Sequence, residues 1–131
     1  MNIELKRTID RDVLENVFVT AIEGGSNYWY FLRDDTIEVI RSYVPKEVDP
    51  CISTAILKAL EKGLVIEIHD AEDEDSLVGE LNMDTFATRL QKLYNDTNYS
   101  SALALEIEGN GDAYSSDVVF QYLAMGEVVY G

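Results

Sequence analysis

The chain has one histidine, His69, and one cysteine, Cys51. These are the first side chains to ask for metal or nucleophile chemistry. A zinc site draws three or four ligands from His, Cys and carboxylates, and Cys51 with His69 falls short of that set. Ser-His-Asp or Cys-His catalysis needs a nucleophile signature such as Gly-x-Ser-x-Gly, and the sequence contains none. His69 therefore reads as an exposed strand residue beside an acidic run. Cys51 follows Asp49-Pro50, near an expected helix start that would favour a thiolate. A partly buried structural cysteine is the simpler expectation.

Carboxylates dominate the charge: 25 Asp and Glu against 10 Lys and Arg, a net −15. The densest run is Asp70-Ala71-Glu72-Asp73-Glu74-Asp75. A calcium loop alternates oxygen ligands, turns at a glycine and ends in a bidentate glutamate. This run lacks the glycine and the spacing, so it reads as a solvated hairpin tip that a basic partner could contact. No carboxylate pair stands out for acid–base work. Gly24-Gly25-Ser26 is not followed by a lysine and a helix start, and Gly109-Asn110-Gly111 has no base nearby. Both read as caps and turns. The expectation is no catalytic residue, no metal and no cofactor.

Aromatic residues are more informative. Tyr28, Trp29, Tyr30 and Phe31 are consecutive, and Tyr122 and Tyr130 lie near the other end. Large rings bury much area while keeping a polar tip wet, so they serve cores and interfaces alike. The candidate binding residues are Tyr28, Trp29, Tyr30, Tyr130 and the acids Asp70, Glu72, Asp73, Glu74 and Asp75. The strong negative charge repels phosphate backbones, so direct nucleic-acid binding is not expected. One cysteine cannot form an intrachain disulfide, which suits a reducing interior. Met1 to Asp12 shows no apolar signal core, and no stretch approaches the roughly 20 apolar residues of a membrane span. A cytoplasmic protein with no membrane contact is expected.

The elements that would position these residues follow from apolar spacing and punctuation. Asn2 to Ile9 alternates loosely, as a short strand or arm. Asp10 caps a helix whose face is Val13, Leu14, Val17, Phe18, Ala21 and Ile22, with Gly24 or Gly25 as its stop. Tyr28 to Leu32 is β-prone, Asp34-Asp35 is a turn, and Thr36 to Val44 is ambiguous between strand and helix, with its alternation favouring the strand. Asp49-Pro50 starts a helix that carries Ile52, Ala55, Ile56, Ala59 and Leu60 and ends at Gly63. Leu64 to His69 is a strand, Asp70 to Ser76 an acidic loop, and Leu77 to Leu81 a returning strand. Asn82 or Asp84 caps a third helix with Met83, Phe86, Ala87, Leu90, Leu93 and Tyr94. Ser101 to Glu108 is helical, and a final helix runs from Ser115 or Ser116 to Met125. The sum is one α+β domain, residues 1–131, with four to five helices on a small antiparallel sheet or hairpin. Trp29 and Tyr130 are expected in one cluster that joins the two ends of the chain.

Two segments carry a resemblance: Gly24-Gly25-Ser26-Asn27-Tyr28-Trp29 and the stretch from Asp117 to the closing Gly126-Glu127-Val128-Val129-Tyr130-Gly131. The chain resembles small, mostly uncharacterised proteins carried by phages, prophages and similar mobile elements. The resemblance covers about a sixth of the chain and implies a bacterial or phage cytoplasm; no activity comes with it. The leading expectation is a non-enzymatic protein that contacts a basic protein partner, in its sharpest form an inhibitor that imitates nucleic acid. Two alternatives stand beside it. One is an enzyme or small-ligand binder with a pocket at Tyr28-Trp29-Tyr30; the other is a homo-oligomeric structural protein.

Overall fold

Asp10 opens the first helix. Its carboxylate accepts from the Val13 N–H at 3.2 Å and so satisfies a donor that every helix start leaves unpaired. In the computed structural model, which describes residues 8–45 and 51–131, α1 (Arg11–Thr20) buries Val17 and Phe18 and continues into a π-turn at Ala21–Gly25. The expected left-handed glycine stop is absent, because neither Gly24 nor Gly25 has a positive φ. Gly25 serves close approach instead: a Cβ there would lie 3.1 Å from the Ala113 carbonyl oxygen. Most of the Asn2–Ile9 arm, residues 2–7, and the Asp49-Pro50 helix start lie outside the described residues.

The sheet has three antiparallel strands in the order β1 (Tyr30–Phe31), β2 (Ile66–Asp70), β3 (Asp73–Leu81). Thr36–Val44 does not join it. Asp34–Arg41 is a helix, α2. Acids in its first turn and Arg41 in its last complement the helix dipole. Ile37 and Ile40, three apart, turn inward, and Ile40 is buried. The strand-like alternation counted Val39 as inward, yet it is largely exposed.

The acidic loop is also shorter than expected. β3 begins at Asp73, so Glu74 and Asp75 belong to the strand, and Asp70 pairs with Asp73 across a turn of only Ala71 and Glu72. The Asp70 carboxylate accepts the Glu72 N–H at 2.7 Å and closes that turn through its own side chain. Charges are tolerated in β3 because it is an edge strand.

His69 is a further correction. It is 4% exposed, not a surface residue. Strand β2 is central, and His69 faces Phe31 on one neighbour and Leu77 on the other. The register shifts on both sides of it. Neither ring nitrogen has a hydrogen bond. Nε2 lies 3.5 Å from Glu67 Oε2, a contact that becomes an ion pair only on protonation. Cys51 is corrected as well: it is exposed, at the N-cap of α3 (Ile52–Glu61). Its sulfur sits 3.1 Å from Ser53 Oγ and 3.3 Å from Thr54 Oγ1. Those hydroxyls, Ser53 first, hold the thiol pKa below its ordinary value.

The second half is helical: α4 (Met83–Tyr94), α5 (Ser100–Ile107) and α6 (Ala113–Met125). Asn82 caps α4 through Asp84 N–H. Asp112 and Ser115 form a reciprocal capping box on α6, and Gly126 ends it in the left-handed conformation that favours glycine. Every residue of α6 from Ser115 to Ala124 is buried, so it is the central helix of the fold. It packs on α1, α4, α5 and β3. Gly79 on β3 permits that contact, since a Cβ there would come 2.4 Å from the Ala124 carbonyl oxygen. Glu106, buried on α5, accepts from Ser115 and Ser116 hydroxyls at 2.7 and 2.6 Å and fixes the α5–α6 connection. The result is α+β as expected, with six α-helices among the described residues.

Candidate functional site

Asp117 is the convergence point for two of the aromatic candidates, Tyr28 and Trp29. It is 8% exposed on α6. Its Oδ1 accepts from Ser26 Oγ at 2.7 Å and from the Trp29 indole N–H at 2.8 Å. Its Oδ2 accepts from the Tyr28 hydroxyl at 2.5 Å and the Gln121 amide at 3.1 Å. A buried carboxylate is costly unless its lone pairs are filled, and here four donors fill them. Burial first, and then Asp117, raise the Tyr28 pKa well above its ordinary value.

Gln121, one helical turn on, fastens the C-terminal segment. Its Oε1 accepts the Val129 and Tyr130 N–H groups at 2.8 and 2.9 Å, and its amide donates to Tyr130 O at 3.0 Å. Tyr130 then stacks on Trp29, with centroids 5.2 Å apart and planes 12° from parallel. The two ends of the chain do meet in one cluster. The Tyr130 hydroxyl donates to Asp70 at 2.7 Å. That bond lowers the Asp70 pKa, while burial, reinforced by Asp70, pushes Tyr130 up to about 12. The Tyr30 hydroxyl donates to the Ile22 carbonyl at 2.6 Å, and burial pushes it up to about 12.

The structure thus gathers Tyr28, Trp29, Tyr30, Tyr130 and Asp70 into one joint, to which the hairpin is tied by the Ala71 N–H on the Trp29 carbonyl. Trp29 itself is 1% exposed and belongs to the core. Tyr28 is 52% exposed, but its hydroxyl is committed to Asp117. Glu72, Asp73, Glu74 and Asp75 are exposed at the hairpin tip. The best-formed surface concavities are not lined by Tyr28, Trp29 or Tyr30. This end of the molecule ties chain ends together and carries a rim of negative charge.

The chain matches no family model, no curated protein and no solved structure. Among the described residues, no group of three or more His, Cys, Asp or Glu side chains could hold a metal ion, and no helix is long and apolar enough to cross a membrane.

A well-formed concavity lies elsewhere. It is an open groove of about 600 Å³ among α1, α4 and α5. Met83, Phe86, Ala87, Leu90, Gln91 and Tyr94 line it from α4; Leu14, Leu103 and Ile107 are among the other walls. Phe86, Leu90 and Leu103 are buried at its base, and Tyr94 is 43% exposed at its lip. The sequence marked these residues only as core-facing. The available signal was the width of the α4 face: Phe86, Leu90 and Leu93 already fill the buried stripe, so Met83, Ala87 and Tyr94 widen it beyond what packing uses.

Proposed function

We propose that this chain is a non-enzymatic binding protein, of phage or mobile-element type, that acts on a positively charged protein partner and seats it in the α1/α4/α5 groove. The observation that carries this reading is an apolar groove of about 600 Å³ on a chain of net charge −15. Concave apolar surface ringed by polar residues marks interaction sites on soluble proteins. The surrounding negative field raises the encounter rate with a cationic partner and repels acidic ones. In the version that imitates nucleic acid, Glu72, Asp73, Glu74 and Asp75 at the hairpin tip supply the phosphate-like charge.

The test is a pull-down from bacterial lysate at low salt, with wild type and Ala87→Arg run side by side. Ala87 is exposed and lines the groove, so arginine there fills the groove and adds repulsion without opening the core. A retained protein that washes off with salt and is lost with Ala87→Arg supports the proposal. Retention indifferent to Ala87→Arg contradicts it. The groove volume also falls in the range of small-molecule sites, about 300–1,000 Å³. An apolar ligand that raises the melting temperature in a thermal-shift panel, when no protein is retained, would favour that second reading.

A further inference from the structure

All of the groove lining except Ile9 lies on helices, and the polar side chains in it are Gln91 of α4 and the hydroxyl-bearing Tyr94. We propose that its occupant is an amphipathic α-helix of the partner, with Lys and Arg on its outer face, lying along α4. The inference rests on the partner-binding reading and specifies the shape and charge of what binds.

Hydrogen bonding decides the shape. The main-chain groups of α1, α4 and α5 are bonded within their own helices over most of their length. They have nothing to offer an extended peptide, which would bury its own N–H and C=O groups unpaired. A helix brings its main-chain bonds with it and presents side chains only. The α4 lining recurs at three- and four-residue spacing through all 12 residues of that helix. That makes a straight ridge about 18 Å long, suited to ridge-and-groove packing with a second rod.

Charge decides the outer face. The exposed acids Asp10, Asp84 and Glu108 each adjoin a lining residue in the chain, against the exposed base Lys92. A second copy of this chain would bring another −15 to the contact, so self-association is disfavoured and a cationic helix is favoured.

Three synthetic peptides of about 12 residues, matched to α4 in length, separate the possibilities by calorimetry. The first places Leu at helical spacing with Lys elsewhere. The second has the same composition in strict alternation. The third replaces every Lys of the first with Glu. The first alone should bind, gain helical circular dichroism on binding, and bind Ala87→Arg at least about tenfold more weakly, as a packed interface anchor requires. Binding of the alternating or the acidic peptide as tightly as the first, with the same loss on Ala87→Arg, overturns the helical or cationic occupant and leaves partner binding at the groove standing. Binding of the first that ignores Ala87→Arg places the peptide elsewhere and overturns the proposal. No binding by any peptide counts against the partner-binding reading as well.

Discussion

Replacing Asp117 should break the joint between the two ends of the chain. Asp117→Asn keeps the volume but turns an NH₂ group toward donors. Of the four groups that now donate to Asp117, Ser26, Trp29 and Gln121 are buried. The Tyr28 hydroxyl belongs to a half-exposed residue and can turn to water. The Ser26 hydroxyl can rotate, and Gln121 keeps its bonds to residues 129 and 130. The asparagine keeps one acceptor oxygen, which can serve either the Ser26 and Trp29 side or the Tyr28 and Gln121 side. One buried donor, the Trp29 N–H or one Gln121 N–H, therefore loses its acceptor. A buried unsatisfied donor costs about 1–3 kcal/mol, and relief from burying a charge offsets part of it. The expected loss is about 2 kcal/mol, a sizeable fraction of the roughly 5–15 kcal/mol that holds a domain folded. At about 3–5 °C per kcal/mol for a chain of this size, the melting temperature should fall by about 6–10 °C. Urea unfolding followed by tryptophan emission is the assay, because Trp29 is the only tryptophan. A loss below about 1 kcal/mol would refute the claim that Asp117 holds Trp29 and the C-terminal segment together.

Other expectations concern packing and titration. Gly79→Val should cost about 2–4 kcal/mol, because even a Cβ would come 2.4 Å from the Ala124 carbonyl oxygen and the obstacle is main chain; a melting temperature within 2–3 °C of wild type, about the effect of 1 kcal/mol or less, would argue that α6 does not press on β3 there. His69→Val should stabilise the protein by about 1 kcal/mol, since it removes buried nitrogens without hydrogen bonds from a central strand; destabilisation in urea would mean that the imidazole has a bonded partner. Tyr30, Tyr122 and Tyr130 are pushed up to about 12, and Tyr28 is raised as well. For a tyrosine whose folded pKa lies above its unfolded value, stability is unaffected below about pH 10 and is lost as pH climbs from there toward 12. Ultraviolet titration should therefore show four of the eight tyrosines ionising well above pH 10; smooth ionisation of all eight near pH 10 would contradict the burial and carboxylate contacts that raise them.

Much of the fold was legible from local signals. Asp10, Asn82 and Gly63 act where their side chains or freedom at positive φ predict. The meeting of Trp29 with Tyr130 followed from aromatic content at both chain ends. Errors arose where tertiary context overrides a short pattern. Residues 34–41 carry alternation and helical spacing at once, and packing of Ile40 on the core selects the helix. Asp73, Glu74 and Asp75 look like loop by composition, yet an edge strand accepts such charge on its open side. His69 looked exposed because a period-2 count cannot see a register shift. Asp117 stood out in the sequence only as the first residue of the C-terminal stretch that carries the resemblance; its partners Ser26, Tyr28 and Trp29 are some ninety residues away, beyond any local pattern. The groove was hidden because a wide apolar stripe looks the same in sequence whether or not another of the described elements covers it.

The groove is tested most directly by amide chemical shifts of the isotopically labelled protein during titration with a cationic amphipathic helix. The account predicts perturbations at Leu14, Ala87, Leu90, Tyr94, Leu103 and Ile107, which line the groove. Perturbations confined to the exposed hairpin acids Glu72 to Asp75, with the groove amides unmoved, would contradict it and leave only an electrostatic contact.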